Sequence, residues 1–398
     1  MKYEFYFKEV LRRIIIGVIL LLIVLLLNSM SKKSEKEWYA LELEKTQEAT
    51  EESTKCCGPD MVPPFSFGLE FLGLEDPKDD GILWSNVNKF VDDWFENPRK
   101  YISLDGMELP KDEEIKIKDG FITFPSILNK KETARFKYDS QPENRAGRKV
   151  ALIHVMHWGG KLKLYDYGVT LIRDTLLPIT TLIHIPAGRG LNPGDDSLAD
   201  YESVSPNIGK TIFKTRQDVL DIEFMAKYLK DKLGYEQVGL FTYSIGSLRG
   251  VLASIFSPEY FDFAVFHMVA DNFTDSVMKG VATQEIAKEI EGKIDMNLLN
   301  TFWLTISPGR YSSYLDNLPE KTRMVQAKHD FIFGHQNVED FNFIARKNKP
   351  DIEIANEDVG HSTFGHFPTS VSVMMNDIKF IYLNTLMKED IKAKLFGI

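Results

Sequence analysis

The chain predicts an α/β domain built on a mostly parallel sheet with helices on both faces. Three observations lead there. Short, mostly apolar runs recur at 150–156, 181–185, 238–242, 263–268 and 324–327, the pattern of strands buried on both faces. Helix-like stretches separate several of them. The strongest covers 215–233, where Val219, Ile222, Ala226, Leu229 and Leu233 share a face and Gly234 supplies the stop. Finally, Ser244 stands where the run ending at Thr242 passes into a helix-like run.

From the N-terminus, the first element is an apolar run, Ile14 to Leu27, preceded by Lys8, Arg12 and Arg13. It suits a secretory signal or a membrane anchor. The run is short against the about 17–25 residues of a span, and Asn28 to Ser31 extend it. We expect an uncleaved single-pass anchor over 1–33, with the N-terminus cytoplasmic and the bulk of the chain outside. Basic residues flank both sides and barely decide the orientation. Residues 34–64 are acidic and polar; part of them suits a helix, but there are too few apolar residues to bury a face, and they read as a stalk closed by Pro63-Pro64. The folded domain is expected over 65–398.

Within that domain a helix is expected over 87–96, ended by Asn97-Pro98. The runs 114–118, 121–124 and 134–138 alternate in polarity, as half-exposed antiparallel strands at a sheet edge do. A further strand is expected over 351–355 and a final helix over 370–386. Residues 272–321, between two sheet strands, are too long for an ordinary connection. They carry a charged helix and the apolar residues Leu298, Leu299, Phe302, Trp303, Leu304, Tyr311 and Tyr314. Such an insertion is expected to act as a lid with apolar walls. The alternative is that its aromatics pack it onto the sheet.

Composition narrows the function. At 398 residues and 43% hydrophobic the chain can bury a substantial core, and a net charge of −10 argues against a nucleic-acid partner. Cys56 and Cys57, the only cysteines, are adjacent, which supplies neither a disulfide framework nor a metal site.

Ser244 lies in Phe241-Thr242-Tyr243-Ser244-Ile245-Gly246. A nucleophilic serine needs a sharp strand-to-helix turn, which crowds the backbone two residues to either side and favours small residues there. Gly246 meets that demand, whereas Thr242 replaces the first glycine of the usual pattern. A serine hydroxyl also needs an imidazole base and a carboxylate to orient it. Of the eight histidines, His361 follows the last expected strand in Asp358-Val359-Gly360-His361-Ser362, with His366 as substitute. Asp330, at the end of the strand run before it, is the preferred acid; Asp271, after the 263–270 run, is the alternative. For the oxyanion, the N–H of Ile245 and that of Trp158, in His157-Trp158-Gly159-Gly160, are the candidate donors.

These residues resemble the α/β-hydrolase superfamily over about 114–386, in the order Ser244, Asp330, His361 and in the likeness of His157-Trp158-Gly159-Gly160 to its His-Gly oxyanion loop. The resemblance implies an eight-stranded, mostly parallel sheet and acyl-enzyme hydrolysis of an ester, thioester or amide, with no cofactor or metal required. The expected substrate is a small acyl compound, and the aromatic insertion favours a carboxylic ester with an apolar part. A serine peptidase or amidase of the same fold is the enzymatic rival. A membrane-tethered, non-catalytic binding protein is the rival of another class.

Overall fold

The computed structural model describes residues 34–57, 62–74, 82–141, 148–158, 179–186, 203–362, 364 and 369–386. The expected anchor over 1–33 lies outside them. Among the described residues no helix is long and apolar enough to cross a membrane.

Nine strands form one sheet: β1 Lys116–Lys118, β2 Phe121–Pro125, β3 Thr133–Asp139, β4 Val150–Val155, β5 Thr180–Ile185, β6 Gln237–Tyr243, β7 Phe263–His267, β8 Lys321–His329 and β9 Glu353–Gly360. Their order is β1-β2-β3-β5-β4-β6-β7-β8-β9. The first three are antiparallel to their neighbours, and every pair from β5 to β9 is parallel. The sheet thus exceeds the eight strands implied by the resemblance. The surplus is the edge strand β1, three residues long and exposed throughout. A short, lysine-flanked edge resists pairing with another chain. The alternating and apolar runs have their counterparts: β2 reads half-buried and buried by turns, while β4, β5 and β7 are buried at every position.

Helices cover the faces. α1 is Glu35–Cys57, α2 Ile82–Glu96, α3 Pro98–Ile102, α4 Ile208–Asp231 and α5 Ile245–Phe256. Three short helices follow in the insertion: α6 Phe273–Lys279, α7 Gln284–Ile290 and α8 Met296–Leu304. α9 His335–Asn348 and α10 Thr369–Ile381 complete the α-helices of the described residues. α5 is buried at every one of its residues, because a second layer lies over it. The 3-10 segment Pro308–Asn317 supplies Tyr311, whose ring meets that of Phe256 on α5 edge-on at 5.0 Å. A helix buried on all sides needs this double cover.

That packing corrects the expected apolar walls of the insertion. Leu299, Phe302 and Trp303 are fully buried, Trp303 lies edge-on to Phe273, and the Tyr311 hydroxyl donates to the Thr305 carbonyl at 2.6 Å. Trp303 and the Tyr311 hydroxyl tie the insertion together, and the Tyr311 ring seats it on Phe256 of the body. Leu299, Phe302, Trp303 and Tyr311 are core, so these four give no argument for an apolar substrate.

The segment read as a stalk differs in being packed against the body. It is helical over Glu35–Cys57, and its start is a reciprocal cap in which Glu37 N–H donates to Ser34 Oγ while Ser34 N–H donates to the Glu37 carboxylate. Trp38 and Glu42 are buried against the body. The segment lacks a long apolar stripe because it docks through a few residues near its start, among them two aromatic rings and a hydrogen-bonded carboxylate.

The parallel strands all end at one edge. Ser244 is the residue after β6, Asp330 the residue after β8 and His361 the residue after β9. The expectation from this architecture is that Trp303→Ala costs roughly 3–5 kcal/mol of stability, as large buried aromatics do. Urea denaturation checks it; an unchanged midpoint with a raised KM would restore the substrate-wall role.

Candidate active site

The turn at Ser244 is sharp enough to put a serine at φ 55°, ψ −127°, a region that costs a non-glycine residue about 1–3 kcal/mol. The fold holds it there. Ser244 N–H donates to the His267 carbonyl at 2.9 Å, and Ser247 Oγ–H donates to the same oxygen at 2.6 Å. Downstream, Gly246 lies so close to β4 that a Cβ would sit 2.5 Å from the Val155 carbonyl oxygen and 2.6 Å from that of Met156. The small residue after the serine is therefore required by a backbone crossing.

The missing first glycine also has a physical account. Thr242 is fully buried. Its hydroxyl pairs with Ser247 Oγ at 2.8 Å, and its methyl faces Gly250, where a Cβ would lie 2.8 Å away. The volume added at Thr242 is accommodated by a glycine two turns into α5.

Two loops meet the serine. His361 Nε2 is 2.8 Å from Ser244 Oγ, and His361 Nδ1 is 2.7 Å from Asp330 Oδ2. An ionised carboxylate only accepts, so Nδ1 carries the proton and Nε2 keeps its lone pair for the serine hydroxyl. Asp330 is itself fixed, since its Oδ1 accepts from Ile332 N–H at 2.9 Å and Phe333 N–H at 2.7 Å. All three side chains lie in buried residues. The Phe333 ring stands edge-on to His361 at 4.8 Å.

The sheet aligns these loops through a register shift. β8 and β9 pair Ala327 with Glu357 but His329 with Gly360, so β9 carries one extra residue. The shift sets Asp330 opposite His361, the residues that follow the last pair.

Burial lowers the pKa of His361, but the charge of Asp330 and its hydrogen bond outweigh it, with help from Glu42, and the net shift is upward. Asp271 is not joined to this set. Its backbone N–H donates to the Asn337 carbonyl and its carbonyl accepts from Gly309 N–H. Burial, with Asp340 and Asp275 nearby, raises its carboxyl to about 6.

Other histidines are accounted for by packing. His154 and His184 are buried in strands, which lowers them to about 3 and about 4. His267 lies under the turn: its Nδ1–H donates to the Thr242 carbonyl at 2.8 Å, and Nε2 pairs with Asp377 at 2.9 Å. Arg323 Nε holds the other oxygen of Asp377 at 3.0 Å. Sequence reasoning missed His267, Asp377, Arg323, Gly250 and Glu42. Only a buried-strand histidine next to the turn was readable in advance. His366 and the Gly159-Gly160 pair lie outside the described residues, and Trp158 is half-buried against the core. Ile245 opens α5, where N–H groups lack partners within the helix. Among the described residues, no group of three or more His, Cys, Asp or Glu is arranged to hold a metal ion.

No family model matches the chain, and no curated protein does either. Among solved structures it is similar to the acylaminoacyl peptidase of Pyrococcus horikoshii, at 16% identity and a TM-score of 0.51. That likeness covers 69% of this chain and 43% of the peptidase, so the chain spans less than half of the peptidase's length. It is also similar to acetyl xylan esterase 1 of Thermoanaerobacterium sp. JW/SL YS485, at 14% identity, 73% and 93% coverage and a TM-score of 0.49. The first likeness and the strand order agree: the chain has the α/β-hydrolase fold.

Two outcomes are expected. Gly246→Ala lowers stability by about 1–3 kcal/mol, since neither backbone carbonyl can withdraw easily; a wild-type denaturation midpoint would contradict the crossing. In NMR titration the His361 ring titrates above the ordinary 6.5, and Asp330→Asn moves it down; an unmoved titration would remove Asp330 as its partner.

Proposed function

We propose that the protein is a serine hydrolase that cleaves a carboxylic ester or related acyl bond through an acyl-enzyme intermediate. The observation that carries this reading is the unbroken hydrogen-bond chain from Ser244 through His361 to Asp330. In the first half-reaction His361 Nε2 takes the hydroxyl proton as Ser244 Oγ attacks the acyl carbon. The tetrahedral oxyanion is held by backbone N–H groups, for which Ile245 and Trp158 are our candidates. On collapse the bond to the leaving group breaks, and the leaving group departs with the proton from His361. Water then repeats the sequence on the acyl-enzyme, which returns Ser244 and releases the acid.

A peptidase or amidase reading is kept because one of the similar structures is an acylaminoacyl peptidase. Graded esters and amides bearing the same acyl group separate the two, by which kcat/KM is larger. We also propose that the apolar run Ile14 to Leu27 anchors the chain in a membrane with the catalytic domain outside the cytoplasm. Protease access to that domain in whole cells is the expected result, and full protection would contradict it.

A fluorophosphonate probe tests the chemistry. It should label the wild-type protein and not Ser244→Ala; absence of labelling in the folded wild type would leave only a non-catalytic, binding role for the fold. Asp330→Asn should lower kcat by about 10³–10⁴-fold, while Asp271→Asn does little, and the reverse result would transfer the role of the acid. Only neutral His361 can accept the serine proton, so activity is lost as pH falls through its raised pKa. A kcat/KM profile with its acidic limb below the ordinary imidazole value of 6.5 would contradict this assignment.

A further inference from the structure

Helix α1 touches both loops that converge on Ser244, and it does so at the residues beside the two functional groups. On the acid loop, Trp38 stacks on His329 with ring centroids 5.5 Å apart, and Tyr39 stands edge-on to Phe331 at 5.0 Å. His329 and Phe331 are the neighbours of Asp330 on either side. On the histidine loop, Ser362 N–H donates to Glu42 Oε2 at 2.8 Å. Gly360 presents so little bulk that a Cβ there would lie 2.0 Å from Glu42 Oε1. Gly360 and Ser362 are the neighbours of His361. Trp38, Leu41 and Glu42 fall on one face at the spacing of adjacent helical turns, and Glu42 has no exposed surface.

A carboxylate is costly to bury without a partner, and here its partner is the backbone of the loop it must hold. We infer that α1 is a clamp on the catalytic loops rather than a tether, with Glu42 as a positioning residue that fixes the loop carrying His361. The inference rests on the serine-hydrolase reading above. Glu42 does not touch the reacting atoms. It acts by restraining the backbone beside His361 and by placing a second negative charge near the imidazolium that forms during attack. Among the described residues, the groups that face His361 are Asp330 from the loop after β8, Glu42 from α1, the Ser244 hydroxyl and the uncharged ring of Phe333. Both carboxylates favour the protonated ring, and burial opposes them.

The test uses the full chain and p-nitrophenyl ester hydrolysis across pH, with Glu42→Ala, Glu42→Gln, Trp38→Ala and, as control, Glu44→Gln on the exposed face of the same helix. Glu42→Ala should lower kcat roughly ten- to hundredfold, the range for a displaced catalytic group, with KM moved by no more than about twofold. Trp38→Ala should lower kcat in the same direction. Glu42→Gln keeps an oxygen that can accept from Ser362 and should retain more activity. Its acidic limb should move to lower pH, because a neutral amide no longer favours the imidazolium. Glu44→Gln should change neither quantity.

Wild-type kcat and an unmoved limb in both Glu42 variants would overturn the inference. So would a lowered melting temperature with kcat and limb unchanged in the folded fraction, since that is merely structural support. If Glu42→Ala does not fold, Glu42→Gln alone decides through its limb. A wild-type chain that neither hydrolyses the ester nor labels with fluorophosphonate removes the hydrolase reading and this inference with it. An active wild type with silent Glu42 variants removes only the clamp.

Discussion

One carbonyl oxygen, that of His267, holds the turn on which the rest of the site depends. It accepts from both Ser244 N–H and Ser247 Oγ, so the strained serine is pinned from two directions by the neighbouring strand. The residue that offers this oxygen is fixed in turn by its ring, which bonds the Thr242 carbonyl on one side and Asp377 on the other. The strain at Ser244 is therefore sustained by buried polar groups that lie in the sheet and in α10. Local strain of this kind persists only where the surroundings over-determine it.

A second layer of control sets the distance between the loops. Parallel pairing brings the ends of β6, β8 and β9 to one edge, but pairing alone would leave Asp330 opposite Gly360. The extra residue in β9 moves His361 into that place. The acid is then held by its own loop through two backbone N–H groups, and the histidine loop is held from outside by α1. Ser244 is thus positioned by the sheet, Asp330 by a local turn and the loop of His361 by a helix far away in sequence.

Much of this was legible in the amino-acid sequence, for identifiable reasons. The strands β4 to β7 are mostly apolar runs because both of their faces are covered, and β8 keeps such a stretch only at its centre. Ser244, Asp330 and His361 could be singled out because a residue at the end of such a run emerges at the edge where the parallel strands end. The structure places Asp271 elsewhere, and the sequence could not exclude it, since Asp271 also follows a buried run. The register shift was invisible because it inserts a single residue into a strand of mixed polarity. The packing of α1 was invisible because it uses two aromatic rings and a carboxylate in place of a long apolar stripe. The insertion misled in the opposite sense: buried aromatics and substrate-facing aromatics have the same composition, and only the layer over α5 distinguishes them.

Thr242 and Gly250 bear on how such turns are recognised in sequences at all. The room needed beneath Ser244 is shared between a strand position and a helix position, so the bulk of Thr242 is compatible with the turn because Gly250 is bare. A search pattern that demands a glycine at the first place treats as a defect what is a relocation of free space. In this chain it is the combined side-chain volume of Thr242 and position 250 that the site bounds. Six residues past the serine, the sequence already carries the other half of its motif.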